Sequence, residues 1–337
     1  MDRVAADAFV YAKASGLYAK AFVGARAKAL FECSHVSDLW SLLFADAVPL
    51  EPESRLAQLL ERRIAERAAA DFVSLVRMYD KPDPLSLAIL SFYDCGNIKT
   101  AYQSVVSGAE KPYLVDISPF SRLHDAAWPD IGAMTADSPY SWFDRVPDAG
   151  ERVSWENRLD RQYYRGLWSA LQSLSRRDRT AVEDLIRDEI IFQNILWTLR
   201  MRVYYNMTEE EILPMLAGAD GPPDMRAALT EPAMAVMDLP LDTLSAWKKW
   251  KYFSLLNPET PDGFWELDPR WLDLQCRRKL FHTAMRRFHQ TPFTVGALIA
   301  FFYTRRLEEY LIRVAAEGIR IGASENQMSE FVEDFDA

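Results

Sequence analysis

Helical periodicity along almost the whole chain constrains its fold more than any other feature. Apolar residues recur at three- and four-residue spacing, as in Leu307, Tyr310, Leu311 and Val314, which would form one stripe on a helix. The only stretch with strand character, residues 113–117, is too short to build a sheet. We therefore expect an all-α fold. The predicted long helices span residues 4–32, 53–78, 84–106, 155–173, 178–205, 270–289 and 293–318.

The charge balance limits the kinds of partner. The chain has 337 residues and a formal net charge of −10 at pH 7. This charge disfavours nucleic acid and simple docking on anionic lipid, because both need a basic surface. The three cysteines are far apart and form no C-x-x-C motif, which is typical of a reduced cytosolic setting. No run of about 18 apolar residues predicts a membrane span.

An internal repeat divides the chain into three helical units. Leu159-Asp160-Arg161-Gln162 resembles Leu272-Asp273-Leu274-Gln275, and each opens a helix that precedes a second long helix. In these second helices Asn194-Ile195 and Leu311-Ile312 take matching places. The first third of the chain offers a weaker copy, in which Asn97-Ile98 takes the same place. We expect the three units to build a pseudo-threefold arrangement or a curved array. The predicted units are residues 1–112 with an N-terminal helix, 113–217, and 218–337 with an acidic C-terminal tail.

The stretch YDCGNIK, at residues 93–99, combines an acid, a thiol, an amide and an amine, and allows two interpretations. Cys95 could be a nucleophile, but no histidine is near it in sequence and the thiol does not recur in the other units. The structural alternative makes the stretch a helix joint, in which Asp94 and Asn97 are buried and hydrogen-bonded. We favour the joint and assign no catalytic residue. The structural repeat positions that we select are Asp94, Asn97, Asn194, Arg200, Glu308 and Arg313.

Other chemical signals are weak. No phosphate-binding loop and no group of three metal ligands at a typical spacing occurs in the sequence, so we expect no metal and no cofactor. Aromatic side chains cluster at residues 140–155 and 247–271. Core packing is the default role of such clusters, and an interface anchor is the alternative.

Four sets of residues carry a further signal through their order along the chain. They are Tyr11 with Arg26-Ala27; Tyr93-Asp94 with Asn97-Ile98-Lys99; Asn194-Ile195 with Arg200; and Phe302-Tyr303, Leu307-Glu308, Arg313 and Glu317-Gly318. Together they resemble the C subunit of the A/V-type rotary ATPases (V-type ATP synthases), a relative of the vacuolar ATPase d subunit, over nearly the whole chain. Two departures stand out, because residues 216–223 replace the family's glycine-rich turn and Leu311 stands where the family has asparagine.

The resemblance implies a funnel of three similar helical domains around a pseudo-threefold axis. It implies a non-catalytic central-stalk subunit of a proton or sodium ATPase, which joins the D and F subunits of the shaft to the membrane rotor ring of proteolipid subunits and transmits torque. Such a subunit lies peripherally at the cytoplasmic face of the membrane and does not insert into it. The resemblance assigns no residue of this chain to partner binding. The alternatives are an unrelated all-α repeat scaffold or adaptor, and an all-α enzyme whose site is assembled from distant residues.

Overall fold

The chain folds into helices joined by turns and loops, as the computed structural model describes for residues 2–323. No strand occurs in that range, so the predicted all-α class is confirmed. The predicted acidic tail falls mainly on residues 324–337, which lie outside the described residues. The α-helices are α1 (Arg3–Tyr18), α2 (Lys28–Phe31), α3 (Val36–Leu43), α4 (Glu53–Val76), α5 (Pro84–Ser107), α6 (Ile131–Thr135), α7 (Arg152–Ser173), α8 (Arg176–Tyr205), α9 (Glu209–Ile212), α10 (Pro223–Leu229), α11 (Glu231–Met234), α12 (Pro269–Gln290) and α13 (Val295–Ile321).

The long helices follow the predicted ranges closely, with one exception. The helix expected over residues 4–32 ends at Tyr18, and the chain resumes as a 3-10 turn and the short helix α2. Gly24 has a φ of 56°, a left-handed conformation that cannot continue a right-handed helix. Further 3-10 turns in the described part of the chain lie at Asp125–Ala127, Leu213–Met215, Leu244–Trp247 and Phe253–Leu255.

Local capping explains where the long helices begin and end. At the start of α5, Asp83 accepts a hydrogen bond from the backbone N of Ser86 at 2.9 Å, and Pro84 occupies the first helical position. The helix ends at Ser107, and Gly108 follows with a φ of 64°. Helix α13 begins where Thr294 Oγ1 accepts from the backbone N of Gly296 at 3.0 Å. These caps satisfy backbone groups that the helices leave unpaired.

The described residues form two compact units. Unit 1 comprises the described parts of residues 1–86, 112–121 and 281–337, and unit 2 comprises residues 87–111 and 122–280. The division into three sequence units and their threefold arrangement stay predictions.

The core of unit 1 is built on α13, which packs lengthwise against α4 and also against α1. Every residue from Val295 to Arg305 is buried, because neighbouring helices cover α13 on several sides. The rings of Phe72 on α4 and Phe302 on α13 are fully buried, with centroids 5.1 Å apart. Full burial of such rings contributes about 2–3 kcal/mol each to the free energy of unfolding.

The core of unit 2 is built on α8, against which α7, α10 and α11 pack. Both aromatic clusters noted in the sequence contribute to its packing. Phe143 lies 4.9 Å from Trp155 in an edge-to-face pair, and Trp247 lies 5.2 Å from Trp250 in the same geometry. Phe143 and Trp247 are both fully buried.

Candidate functional site

A buried acidic side chain, Glu308 of α13, ties three segments of unit 1 together. Its Oε1 accepts a hydrogen bond from the backbone N of Phe22 at 2.9 Å and lies 3.5 Å from Arg67 of α4. Its Oε2 accepts from Arg305, one turn earlier on the same helix. Glu308 is only 2% exposed, so these partners, rather than water, stabilise its carboxylate.

Arg305 extends this arrangement into a network of charges. Besides Glu308, its guanidinium binds Asp71 Oδ2 of α4 at 2.5 Å. Arg67 also donates to the backbone O of Leu43 at 3.1 Å, at the end of α3. Burial lowers the pKa of Arg67, and the neighbouring Glu308 carboxylate opposes that shift. The network therefore fixes α13 to α4 and to two segments of the N-terminal region.

Glu309, the neighbour of Glu308, occupies a different environment. Its Oε1 is buried and makes no hydrogen bond with the described residues. Burial raises the pKa of this carboxyl to about 7, and Arg306 and Arg313 oppose the shift. Glu309 is therefore a group of unit 1 whose protonation changes near neutral pH.

In unit 2, Asn194 of α8 forms a fully buried three-bond clamp. Its Nδ2 donates to the backbone O of Ala217 at 2.9 Å and to the backbone O of Leu229 at 2.8 Å. Its Oδ1 accepts from the backbone N of Ala217 at 2.8 Å. An amide side chain matches this combination because it offers donors and acceptors together. The clamp holds α8 against the loop at Ala217 and the last residue of α10.

The stretch at residues 93–99 lies on α5 and joins that helix to its surroundings. Asp94 is buried and accepts a hydrogen bond from the backbone N of Arg122 at 3.0 Å. Asn97 is buried on the same helix. Lys99 Nζ lies 2.6 Å from Asp160 of α7, and burial raises the pKa of that carboxyl.

The remaining repeat positions make ion pairs nearer the surface. Arg200 of α8 binds Asp273 of α12 at 3.1 Å, with the arginine side chain 39% exposed. Arg313 of α13 lies 3.4 Å from Glu61 of α4, and both side chains are more than two-fifths exposed. Exposed pairs of this kind contribute at most about 1 kcal/mol, so these two positions matter less to stability than the buried ones.

Sequence reasoning missed the partners of these positions, above all Arg67 and Arg305 around Glu308. It also missed Asp71, which binds Arg305. Arg305 carried one usable signal, because it lies three residues before Glu308 and so on the same face of a helix. The backbone N–H of Phe22 carried no such signal, since every residue except proline has one.

The buried cysteines are poorly suited to nucleophilic chemistry. Burial raises the pKa of Cys95 to about 12 and raises the pKa of Cys276. Both thiols therefore stay protonated, which is unfavourable for a nucleophile. Residues 2–323 contain no group of three or more His, Cys, Asp or Glu side chains arranged to hold a metal ion. In the same range, no helix is both long and apolar enough to span a membrane.

Comparison with known proteins identifies the family. A family model described as ATP synthase (C/AC39) subunit matches residues 10–331. An uncharacterized protein of Treponema pallidum is 33% identical over 333 residues, which cover 98% of each chain. The C subunit of the A-type ATP synthase of Methanosarcina barkeri is 21% identical over 286 residues, covering 81% of this chain and 76% of that protein. The chain therefore belongs to the ATP synthase (C/AC39) subunit family.

Proposed function

We propose that this protein is a non-catalytic central-stalk subunit of an A/V-type proton or sodium ATPase. The observation that carries the proposal is the family match, which extends over residues 10–331. The similarity to the C subunit of an A-type ATP synthase supports it, with 81% of this chain aligned. In the proposed role, the protein joins the D and F subunits of the shaft to the membrane rotor ring, at the cytoplasmic face and without inserting into the bilayer.

The buried polar contacts suit this role physically. A coupling subunit transmits torque only if its helices hold their positions under load. Apolar contacts alone are non-directional, whereas hydrogen bonds and buried ion pairs fix a geometry. Asn194 and Glu308 each bind backbone groups from distant segments, so sliding of α8 or α13 would break several bonds together.

The repeat positions fit the proposal as equivalent joints. Asp94 and Glu308 each lie three residues before the matched position of the repeat, and Asn194 lies at that position. Each of the three accepts a backbone N–H from a segment remote in sequence, at Arg122, Phe22 and Ala217 respectively. We propose that this shared function is what the repeat preserves, although the side chain that performs it differs.

Depletion of the protein tests the function directly. Loss of a coupler leaves ATP hydrolysis by the soluble head in place and abolishes ion pumping by membrane vesicles. Normal pumping after depletion would refute the coupling role. Fractionation adds a second test, because the protein is expected to sediment with membranes and to release with rotary-ATPase subunits. A protein found free, without those subunits, would favour the scaffold alternative instead.

A further inference from the structure

A basic turn stands out on the surface of unit 2. Lys248, Lys249 and Lys251 are all exposed, in the sequence WKKWKYF at residues 247–253. We call residues 247–253 the lysine turn. Beyond Lys111 the chain contains only one other lysine, Lys279, so this clustering is unusual in a sequence with a net charge of −10.

Two of the four aromatic residues of the lysine turn, Trp247 and Tyr252, are buried and hold the turn in place, and Trp250 and Phe253 are half-buried. Trp247 is fully buried, and its Nε1 donates to the backbone O of Pro240 at 2.7 Å. Tyr252 is buried, with its ring centroid 5.4 Å from that of Phe192 on α8. Two successive turns are closed by hydrogen bonds from the backbone N of Trp250 to Trp247 O at 2.8 Å and from the backbone N of Phe253 to Trp250 O at 3.0 Å. The lysines are thus presented on a fixed backbone, which lowers the entropy lost on binding.

The charges around the turn are mostly positive. Within residues 2–323, none of its three lysines forms an ion pair with a carboxylate. Lys279 Nζ lies 5.2 Å from the Tyr252 ring, and Lys251 Nζ lies 5.0 Å from the same ring. Asp188, whose pKa is raised by burial, is a nearby carboxyl that interacts with Arg187, Lys279 and Lys251, and the carboxyl of Asp184 also lies near it. Three cations thus face these two carboxyls, and Lys248 and Lys249 add two further positive charges to the turn.

The chemistry of the patch selects the class of partner. Three lysines on a strongly acidic chain do not form the extended basic surface that nucleic acid requires. Stable membrane attachment needs an exposed apolar anchor beside the basic residues, whereas Trp247 and Tyr252 are buried and Trp250 and Phe253 are half-buried. A small, rigid set of exposed ammonium groups is complementary to a cluster of carboxylates on a protein.

We propose that the lysine turn docks on an acidic surface of another protein subunit of the ATPase complex. This inference rests on the proposed function. It assigns a partner-contact surface, whereas the sequence resemblance assigned no residue to partner binding. The rest of the acidic chain repels such a surface, so the turn sets the orientation in which the two proteins meet.

The test compares charge variants of the full-length, affinity-tagged protein expressed in its own cells. The variant K248E/K249E/K251E reverses the charge of the lysine turn, and the variant with arginine at the same three positions keeps that charge. Rotary-ATPase subunits that co-purify are quantified at about 50 mM and about 500 mM salt. We expect charge reversal to lower their yield roughly tenfold or more at low salt, with a smaller difference at high salt because charges are screened there. The arginine variant should retain the wild-type yield.

The control variant K20E/R55E/K81E makes the same change in net charge at exposed residues of unit 1. It should co-purify with the subunits as the wild type does. A charge-reversed turn that retains the subunits at the wild-type level would overturn the inference while leaving the proposed function intact. Failure of the wild type itself to bring down any subunit would instead refute the proposed function.

Two further measurements test whether the variant is folded and whether the lysine turn binds lipid. Thermal melts establish that the charge-reversed variant is folded, and the milder K248Q/K249Q/K251Q variant replaces it if it is not. Sedimentation with vesicles of phosphatidylglycerol and phosphatidylcholine tests the membrane. Binding of wild type to these vesicles that is lost in the reversed variant would assign the turn to lipid and overturn the protein-partner inference. No such binding is expected.

Discussion

Asn194 offers the sharpest test of the buried joints, because one substitution removes three hydrogen bonds without altering charge. In Asn194→Ala, the backbone N and O of Ala217 and the backbone O of Leu229 lose their side-chain partner in a fully buried place. Each lost bond costs about 1 kcal/mol, and each buried group left unsatisfied adds to that cost. We expect the free energy of unfolding to fall by about 3–5 kcal/mol.

Urea unfolding followed by both circular dichroism and tryptophan fluorescence measures this loss. Two signals are needed because the chain has two compact units, which need not unfold together. Amide hydrogen exchange adds a local measurement, since the backbone N–H of Ala217 should lose protection in the variant and keep it in the wild type.

The matched control is Asn157→Ala on α7. Asn157 is half-buried and makes one comparable bond, from Nδ2 to the backbone O of Met215 at 3.0 Å. Its removal should cost about 1 kcal/mol or less. A loss below about 1 kcal/mol in Asn194→Ala, or equal losses in the two variants, would refute the view that Asn194 holds α8 in place.

Three other predictions concern Arg305, Glu309 and Cys95. Arg305→Met leaves the carboxylates of Asp71 and Glu308 without their shared cation, so we expect about 3–5 kcal/mol less stability in urea, with much of it recovered when Glu308→Leu is added. Glu309 binds a proton in the folded state up to about pH 7 but ordinarily loses it near pH 4.5, so its burial lowers stability as pH rises between these values. Glu309→Gln should therefore gain about 1–3 kcal/mol at pH 8 and little at pH 4, and equal gains at both values would contradict the assignment. Cys95→Ser should leave ion pumping at the wild-type rate, since the thiol has no role in coupling; a loss of pumping without unfolding would show that it does.

The long helices could be predicted from the sequence because their signals are local. Helices α4, α5, α8 and α13 carry apolar stripes of several turns, and Pro84 and Gly108 mark the two ends of α5. The break after Tyr18 was missed because alanine, lysine and arginine, which favour a helix, lie on both sides of Gly24, where the chain takes a left-handed turn.

The polar contacts could be predicted only in part. Burial of Asp94 and Asn97 followed from the interpretation of residues 93–99 as a helix joint, and both side chains are buried. Their partners could not be named, because a backbone N–H carries no sequence signature. The pairing of Asp71 with Arg305 spans 234 residues. Nothing local in either helix identifies the other, and only the folded chain brings them together.

The joints also explain why the two ends of the chain belong to one compact unit. Asp94 and Asn194 take their backbone N–H from residues 28 and 23 positions further along the chain. A donor at that spacing after Glu308 would fall at residues 331–336, outside the described range. The observed donor is Phe22, which lies 286 positions earlier. We infer that the N-terminal segment supplies to α13 the backbone N–H donor that the following segments supply to α5 and α8. On this reasoning α13 depends on residues from the opposite end of the sequence, and removing the N-terminal segment would leave Glu308 buried with one fewer partner.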